Sequence, residues 1–517
     1  MTGHPRRWPI LAAMCLSLLI VVIDNTILNV ALPTLARELA AGTTELQWIT
    51  DAYTLVFAAL LIPAGFLGDR FGHRRALMGG LAVFLIGSVL AAVADDSARL
   101  IAARAVMGAG GAFVMPATLA IITAVFPTSE RARAIGLWSA TAGIGIVVGP
   151  TLGGFLLGHF AWGAVFWVNV PLVALALTAV LAIVTGLPSR RGTAGRLDVA
   201  GAVLAAGGTL ALVDAVIGGP ERGWLSATTL GELALAGLLL TGFVAWELRA
   251  ASPLIDLRVF TYRAFSAATL SVALIFFALF GSLFALTQYL QLVQGYSPLG
   301  AGLRALPFAA AVLVLAPLSS VLVVRWGIRV VIPAGLTLMG SGLLLLAAQV
   351  TPTTNYAFLA VAVTVMGAGM GLVIAPASES IMSVLPTGQV GAGSAINSTV
   401  QELGGTLGVA VIGSLVSASY RANMDGSALP DALLTSARGS IGSADAVAAS
   451  VPDAVQVTGI ADQAFTVAMA TGFGVAGGVA LVGAVGVAIA LPRLRRDAGD
   501  AAPVTVADAA SDLPMGI

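Results

Sequence analysis

The chain has 517 residues, of which 58% are hydrophobic and only 10% charged, with a formal net charge of zero and a mean hydropathy of +0.99. Water-soluble domains carry about 25% charged residues, so this composition excludes them and identifies an integral membrane protein. Balanced charge without a basic, aromatic-interleaved tract excludes a nucleic-acid partner; the lone Cys15 excludes disulfides, and the scattered His4, His73 and His159 leave no metal cluster.

A spanning helix needs about 20 mostly apolar residues. That ruler predicts fourteen spans, at 9–32, 46–68, 76–94, 99–125, 134–158, 163–186, 197–217, 229–248, 264–291, 300–324, 329–348, 356–384, 391–418 and 464–490. The first follows Arg6 and Arg7, is too long for a signal peptide and lacks a small-residue cleavage site. It reads as a retained helix stopped by Pro33.

All 25 basic residues are arginine, and their distribution orients the chain, because cytoplasmic loops are enriched in them. With the N-terminus inside, eighteen arginines fall on the cytoplasmic side and five, Arg37, Arg99, Arg222, Arg421 and Arg438, outside. Both termini are then cytoplasmic. One long hydrophilic connection, 420–463, falls outside; it carries Asp425, Asp431, Asp445, Asp453 and Asp462 and is long enough for a small external cap. The Ala- and Asp-rich tail 497–517 reads as disordered.

An internal repeat is visible within the chain. GLWSA at 136–140 recurs as GAGSA at 391–395, GPTLGGFLLG at 149–158 as GGTLGVAVIG at 404–413, and DRFGHR from Asp69 faces VRWGIR from Val324, all at an offset of 255 residues. MGAG from Met107 recurs from Met366 with a few extra residues between. Eight spans separate each matched pair, so both copies cross in the same direction. The expected fold is therefore all-α: two six-helix bundles related as parallel repeats, with two inserted helices, and a substrate site at the midplane between the halves. The expected units are 1–190, 191–258 and 259–496.

These stretches carry a family resemblance. GFLGDRFGHRR from Gly65 resembles the loop between helices 2 and 3 of the major facilitator superfamily, and RAVMGAGGA from Arg104 its helix 4 motif. GIVVGPTLGG from Gly145 is similar to the helix 5 motif of proton-coupled exporters, and IDNTILNVALP from Ile23 to the helix 1 signature of the fourteen-helix drug:proton antiporters. The resemblance implies multidrug or antibiotic efflux at a bacterial plasma membrane. It also implies that Gly65, Gly68, Asp69, Arg70, Gly72, Arg74 and Arg75 form a latch stabilising the form closed to the cytoplasm.

Each motif also has a physical reading. In the loop motif, Gly65 and Gly68 permit close helix approach, and Asp69 beside basic side chains can break and reform contacts as two bundles rock; the plainer alternative is a positive-inside turn. Gly145, Gly149 and Gly153 lie on one face, with Pro150 and Gly154 beside them. They make either a packing seam or, through the proline kink, a hinge that seals a pathway.

Intramembrane charges narrow the site further. A charge at a helix centre costs about 2.5 to 3.5 kcal/mol on insertion scales, so such residues are paired and functional by default. Asp24 in helix 1 and Arg104 in helix 4 fall at similar depth and form the expected pair. Asp51 reads either as a site residue or as a carboxylate at the start of helix 2, favoured there by the helix dipole. Glu402, whose repeat partner is Val147, is expected to face a cavity, whereas Glu379 and Asp214 sit near helix ends and Arg304 can snorkel outward. No GxxxxGK[ST] stretch suggests nucleotide as the energy source. The expected partners are a proton, a small hydrophobic, neutral or cationic substrate and the bilayer, acting on a monomer without cofactor, metal or enzymatic chemistry. A metabolite facilitator of the same fold, or a receptor or channel, remains the alternative.

Overall fold

Helix formation follows the apolar runs closely, but polar turns extend several helices beyond them. The computed structural model describes residues 4–184, 198–250, 253, 257–383, 390–427, 429–449 and 454–491. Outside them lie Arg190, Arg191, Arg196, Asp453, the arginines at 493, 495 and 496, the tail 497–517, the Asp69, Asp431 and Val147 side chains, and most side chains of the 136–140 and 391–395 repeat.

Within the first 184 residues run α1 (Arg7–Glu38), α2 (Thr43–Phe71), α3 (His73–Ala92), α4 (Ser97–Val125), α5 (Thr128–His159), α6 (Ala164–Trp167) and α7 (Asn169–Ile183). Next come α8 (Val199–Arg222) and α9 (Ala227–Glu247). The remainder holds α10 (Arg263–Gln288), which ends in a π-helical turn at Tyr289–Val293, then α11 (Pro298–Arg304), α12 (Leu306–Trp326), α13 (Ile328–Gln349), α14 (Tyr356–Ser383), α15 (Val390–Asp425), α16 (Asp431–Ala437), α17 (Ile441–Ala448) and α18 (Ala454–Ala490). No strand occurs among the described residues, and twelve helical segments there are long and apolar enough to cross a membrane.

Several boundaries differ from expectation. Pro33 lies inside α1, buried, and the helix continues to Glu38; long apolar helices tolerate a proline where neighbouring helices surround the freed carbonyl. The expected sixth span is broken at Val168, giving α6 and α7, because Pro171 has no N–H to offer the carbonyl of Trp167. The connection 420–463 is largely helix: α15 reaches Asp425, α16 and α17 follow, and α18 begins at Ala454. Arg438 pairs with Asp425 at 3.5 Å, and Arg37 approaches Asp445 at 4.0 Å.

Two large apolar clusters hold the molecule. One draws on residues from Ile10 to Val184, joined by Phe284 and Val409; the other draws on residues from Phe265 to Leu491. The repeat is visible in how glycines admit neighbouring backbone. A Cβ on Gly87 would lie 2.7 Å from Met107 Cγ, and one on Gly342 2.6 Å from Met366 Cγ. Gly108 lies against the Tyr53 carbonyl as Gly367 lies against that of Phe308, and Gly153 faces Ile27 as Gly408 faces Phe277. The offset is thus 255 in α2 and α3, 259 in α4 and 250 in α1, with insertions absorbed between helices. Gly72 and Gly327, also 255 apart, turn the chain between helices at φ +96° and +82°, a region that favours glycine.

The face at which α1 begins is called the terminal face here, and the opposite one the far face. Several hydrogen bonds join the two halves on the far-face side. Gln47 Nε2 donates to the carbonyls of Val409 (3.2 Å) and Ala410 (3.0 Å), Thr406 Oγ1 to Thr54 Oγ1 (2.8 Å), Gln291 Nε2 to Val30 O (2.9 Å) and Thr43 Oγ1 to Gly439 O (3.4 Å).

Candidate functional site

An isolated carboxylate and an isolated guanidinium in apolar helices each carry a large desolvation cost, which pairing offsets. Asp24 and Arg104 are both fully buried, and Arg104 Nη1 donates to Asp24 Oδ2 at 2.6 Å. Asn169, the first residue of α7, donates to Asp24 Oδ1 at 2.8 Å and to Ser88 Oγ at 3.0 Å; Ser88 in turn donates to Phe166 O at 2.8 Å. The break between α6 and α7 thus supplies two of these groups. Arg104 also donates from Nε to Ile49 O at 3.2 Å, and its guanidinium carbon lies 4.3 Å from the centre of the Tyr53 ring, a cation–π geometry. Five helices, α1, α2, α3, α4 and α7, therefore converge on one ion pair.

Local sequence explains the approach. Gly108 and Gly111 follow Arg104 by one and two turns on the same face of α4. With no side chain at Gly108, the Tyr53 backbone can press against α4; a Cβ at Gly111 would lie 2.8 Å from Tyr53 Oη. The motif glycines thus hold the aromatic ring beneath the arginine. Arg104 Nη2, Asn169 Oδ1 and Tyr53 Oη have no protein partner although buried.

Of the two readings of Asp51, the helix-start one does not hold. Helix α2 begins at Thr43, with Glu45 accepting from the Gly42 N–H at 2.6 Å, so Asp51 stands two turns inside and is not a helix-start carboxylate. It is fully buried, and neither carboxylate oxygen has a partner. Gln47, Asp51 and Thr54 share a face of α2, and Gln47 and Thr54 bond to α15. Asp51 therefore sits in the join between the halves. Glu402 lies on α15 one turn from Thr406 towards the terminal face and is partly exposed. Of the four charged candidates, only Asp24 and Arg104 are in contact.

The other motif residues take structural positions. A Cβ on Gly145 would lie 2.6 Å from Val22 Cγ1, one on Gly149 would overlap Thr26 Oγ1, and one on Gly153 would lie 2.6 Å from Ile27 Cγ1, so this stripe packs α5 on α1. The Thr26 hydroxyl donates across it to Gly145 O at 3.2 Å. The flanking Pro150 and Gly154 instead meet Gly302 and Leu299 of α11 in the other half. Helix α5 is a seam on one side and an inter-half contact on the other. In the loop motif, Gly68 makes room for His73, Gly65 faces Pro116, Arg70 lies over Phe71 at 5.7 Å, and Arg74 donates to Leu181 O at 3.2 Å; Arg75 is exposed. The expected Asp69 contacts fall on a side chain outside the described residues.

Two of the peripheral charges have specific partners. The Arg304 guanidinium stacks 3.5 Å from the Tyr296 ring centre and 5.0 Å from that of Tyr356, and donates to Gly300 O at 3.0 Å. Asp214 is paired, sharing Arg222 with Glu232; the Arg222 distances are 3.4 Å and 2.7 Å. Glu379 is exposed near the end of α14.

Comparison with known proteins places this geometry. The family model described as Major Facilitator Superfamily matches residues 14–409. The chain is 38% identical over 416 residues to the multidrug resistance protein Stp of Mycobacterium tuberculosis, covering 80% of this chain and 77% of that protein. It is 34% identical over 519 aligned residues to the tetracenomycin C resistance and export protein of Streptomyces glaucescens, covering 96% and 94%. Among solved structures, a bacterial homolog of the human lysosomal transporter Spinster, in an inward-facing and unoccupied conformation, superposes with a TM-score of 0.67 at 18% identity, covering 95% of this chain and 100% of that one, a likeness of fold. This is a multi-pass protein of the bacterial plasma membrane. The chain belongs to the major facilitator superfamily.

Proposed function

We propose that the protein is a proton-coupled antiporter that exports small hydrophobic drugs or antibiotics, neutral or cationic, across the plasma membrane by alternating access. Three relatives are named for multidrug resistance, tetracenomycin C export and multidrug efflux, which supports export and a drug-like substrate. The observation that carries coupling is the fully buried Asp24–Arg104 pair, tied to three further helices yet leaving Arg104 Nη2 without a partner.

The proposed architecture is fourteen spans with both termini cytoplasmic, as the arginine asymmetry requires, acting as a monomer. Helices α2 and α5, 29 and 32 residues long, complete the twelve clearly apolar spans. The units are 1–190, 191–258 and 259–496. In this orientation the far face is outside, and the hydrogen bonds that join the halves there support reading this conformation as closed to the outside. Asp24 and Arg104 then act as the proton-coupled pair. A proton on Asp24 removes the charge that holds Arg104, and releases α4 from α1; loss of the proton restores the pair. Glu402, partly exposed on the opposite half, is placed to meet substrate. Asp51 joins the coupling set because opening of the far face would uncover it. Asp69, Arg70, Arg74 and Arg75 latch the terminal face in the other state.

Inward proton movement supplies about 2.3 kcal/mol per charge per 100 mV and ~1.4 kcal/mol per pH unit, enough for tenfold or greater export. The test is drug movement in inverted vesicles under an imposed pH gradient, comparing the unmodified protein with Asp24→Asn. Gradient-driven accumulation in the first and its loss in the second is the expected result. Equal accumulation in both removes Asp24 from coupling, and substrate moving in the same direction as the proton overturns antiport.

A further inference from the structure

Helix α8 belongs to neither repeat, yet it packs against one helix from each, α2 and α15. Its sequence supplies an unusual acceptor there. In Gly218–Gly219–Pro220, the proline has no N–H, so the carbonyl four residues earlier, that of Val216, cannot receive its normal helical hydrogen bond. Ser414 of α15 donates its hydroxyl to that carbonyl at 2.7 Å, and the same Oγ accepts from Gln47 Nε2 of α2 at 3.3 Å. One hydroxyl thereby ties three helices at the far-face join. A small apolar cluster of Val213, Ile217 and Ala410, with Trp48 and Leu407 against it, surrounds the tie. Close approach is built in: a Cβ on Gly413 would lie 2.5 Å from Gln47 Nε2. At the far end of α8, Arg222 binds Glu232 of α9 at 2.7 Å, so the two inserted helices are held to one another.

We propose that α8 is a clasp on the outer gate, holding α2 and α15 together through the proline-freed Val216 carbonyl and so favouring the outward-closed state. The inference rests on the alternating-access reading above. Rocking the halves apart at the far face must separate α2 from α15 and break the Gln47 bonds. A single helix can follow only one of them, so each opening also breaks either the Ser414–Val216 tie or the packing of α8 on α2. The inserted helices thereby set the population of the two gate states without lining the substrate path.

Two substitutions act on the same bond from opposite sides. Ser414→Ala removes the donor, whereas Pro220→Ala restores the N–H that lets α8 reclaim its own carbonyl. The experiment places spin labels at Ala161→Cys and Thr353→Cys, exposed far-face positions in the two halves, in a Cys15→Ala background, and measures their distance distribution in lipid nanodiscs. Each substitution is expected to raise the ratio of long to short distances about two- to tenfold, the range for one hydrogen bond. The double variant should shift no further than Ser414→Ala alone, because that substitution already removes the Val216 bond, together with the Gln47 bond that Pro220→Ala leaves in place. A shift with Ser414→Ala but not with Pro220→Ala would trace to the Gln47 bond and overturn the clasp. Ser417→Ala, which deletes a buried α15 hydroxyl lacking a partner, should leave the distribution unchanged. Unaltered distances in both variants overturn the clasp, as does a shift with Pro220→Ala alone, which would trace to the helix bend. Gradient-driven transport is scored separately: its absence with shifted distances removes antiport and keeps the clasp, and its presence with unshifted distances does the reverse.

Discussion

The two halves share their backbone contacts and differ in their buried polar side chains. Using the offsets that the glycine contacts establish, the counterparts of Asp24, Asp51, Tyr53, Ser88 and Arg104 are Leu274, Leu306, Phe308, Leu343 and Val363. Each of these five polar or aromatic positions is apolar in the second half. The second bundle is therefore built without an ion pair at these positions. The glycines that let α3 and α13 meet α4 and α14 recur in both copies, which assigns them to packing.

The largest effect expected comes from removing one member of the pair. Arg104→Val leaves Asp24 buried without its cation, and breaking such a pair costs about 3–5 kcal/mol. The double variant Asp24→Leu with Arg104→Val gives the first half its counterpart's side chains, and apolar replacement of a buried pair is often neutral or stabilising. Thermal unfolding in detergent should therefore show a strongly destabilised single variant and a double variant close to the unmodified protein. Transport should be lost in both. A double variant as unstable as the single would mean that the pair is structural and that the halves differ less than their sequences suggest.

Packing glycines should behave alike in the two halves. Gly108→Ala drives a methyl into the Tyr53 carbonyl and Gly367→Ala into that of Phe308, and overpacking of this kind costs roughly 1–3 kcal/mol. The two losses should agree to within about 1 kcal/mol, because the same methyl meets the same backbone carbonyl in each half. Asn169→Ala is expected next, at about 1–2 kcal/mol, since it deprives Asp24 Oδ1 of a donor and leaves the Arg104 bond intact. Its unfolding midpoint should fall by less than that of Arg104→Val, with transport reduced and not abolished.

Much of this contrast was legible in the sequence, because run length and small-residue spacing survive without any knowledge of contacts. The pairing of Asp24 with Arg104 followed from matched depth, and the absence of a second arginine from Val363. The helix-start reading of Asp51 fails because the polar turn Thr43–Glu45 is helical but not hydrophobic, so the apolar ruler starts α2 too late. Pro33 looked like a stop for the complementary reason: local propensity ends a helix there, and tertiary burial carries it through. Asn169 and Ser88 went unnoticed as single neutral polar residues in apolar runs. The one available signal was Asn169 standing two positions before Pro171, a polar group at a helix break. Tyr53 gave no signal at all, since an aromatic in an apolar helix reads as core until its partner helix is known.

That residue offers the finest test of the difference between the halves. Tyr53→Phe supplies the side chain that Phe308 already provides in the second half and removes only a hydroxyl. The hydroxyl is buried without a protein partner, so its deletion relieves an unsatisfied group and should change stability by less than about 1 kcal/mol, with a neutral or favourable sign. The ring remains, and with it the face that Arg104 covers at 4.3 Å. If the phenol serves only as a platform for the arginine, coupled transport should persist in Tyr53→Phe and fall in Tyr53→Leu, which keeps the bulk and loses the π face. Loss of coupling in the phenylalanine variant, with the unfolding midpoint unchanged, would instead give the hydroxyl itself a part in the coupling proposed for Asp24.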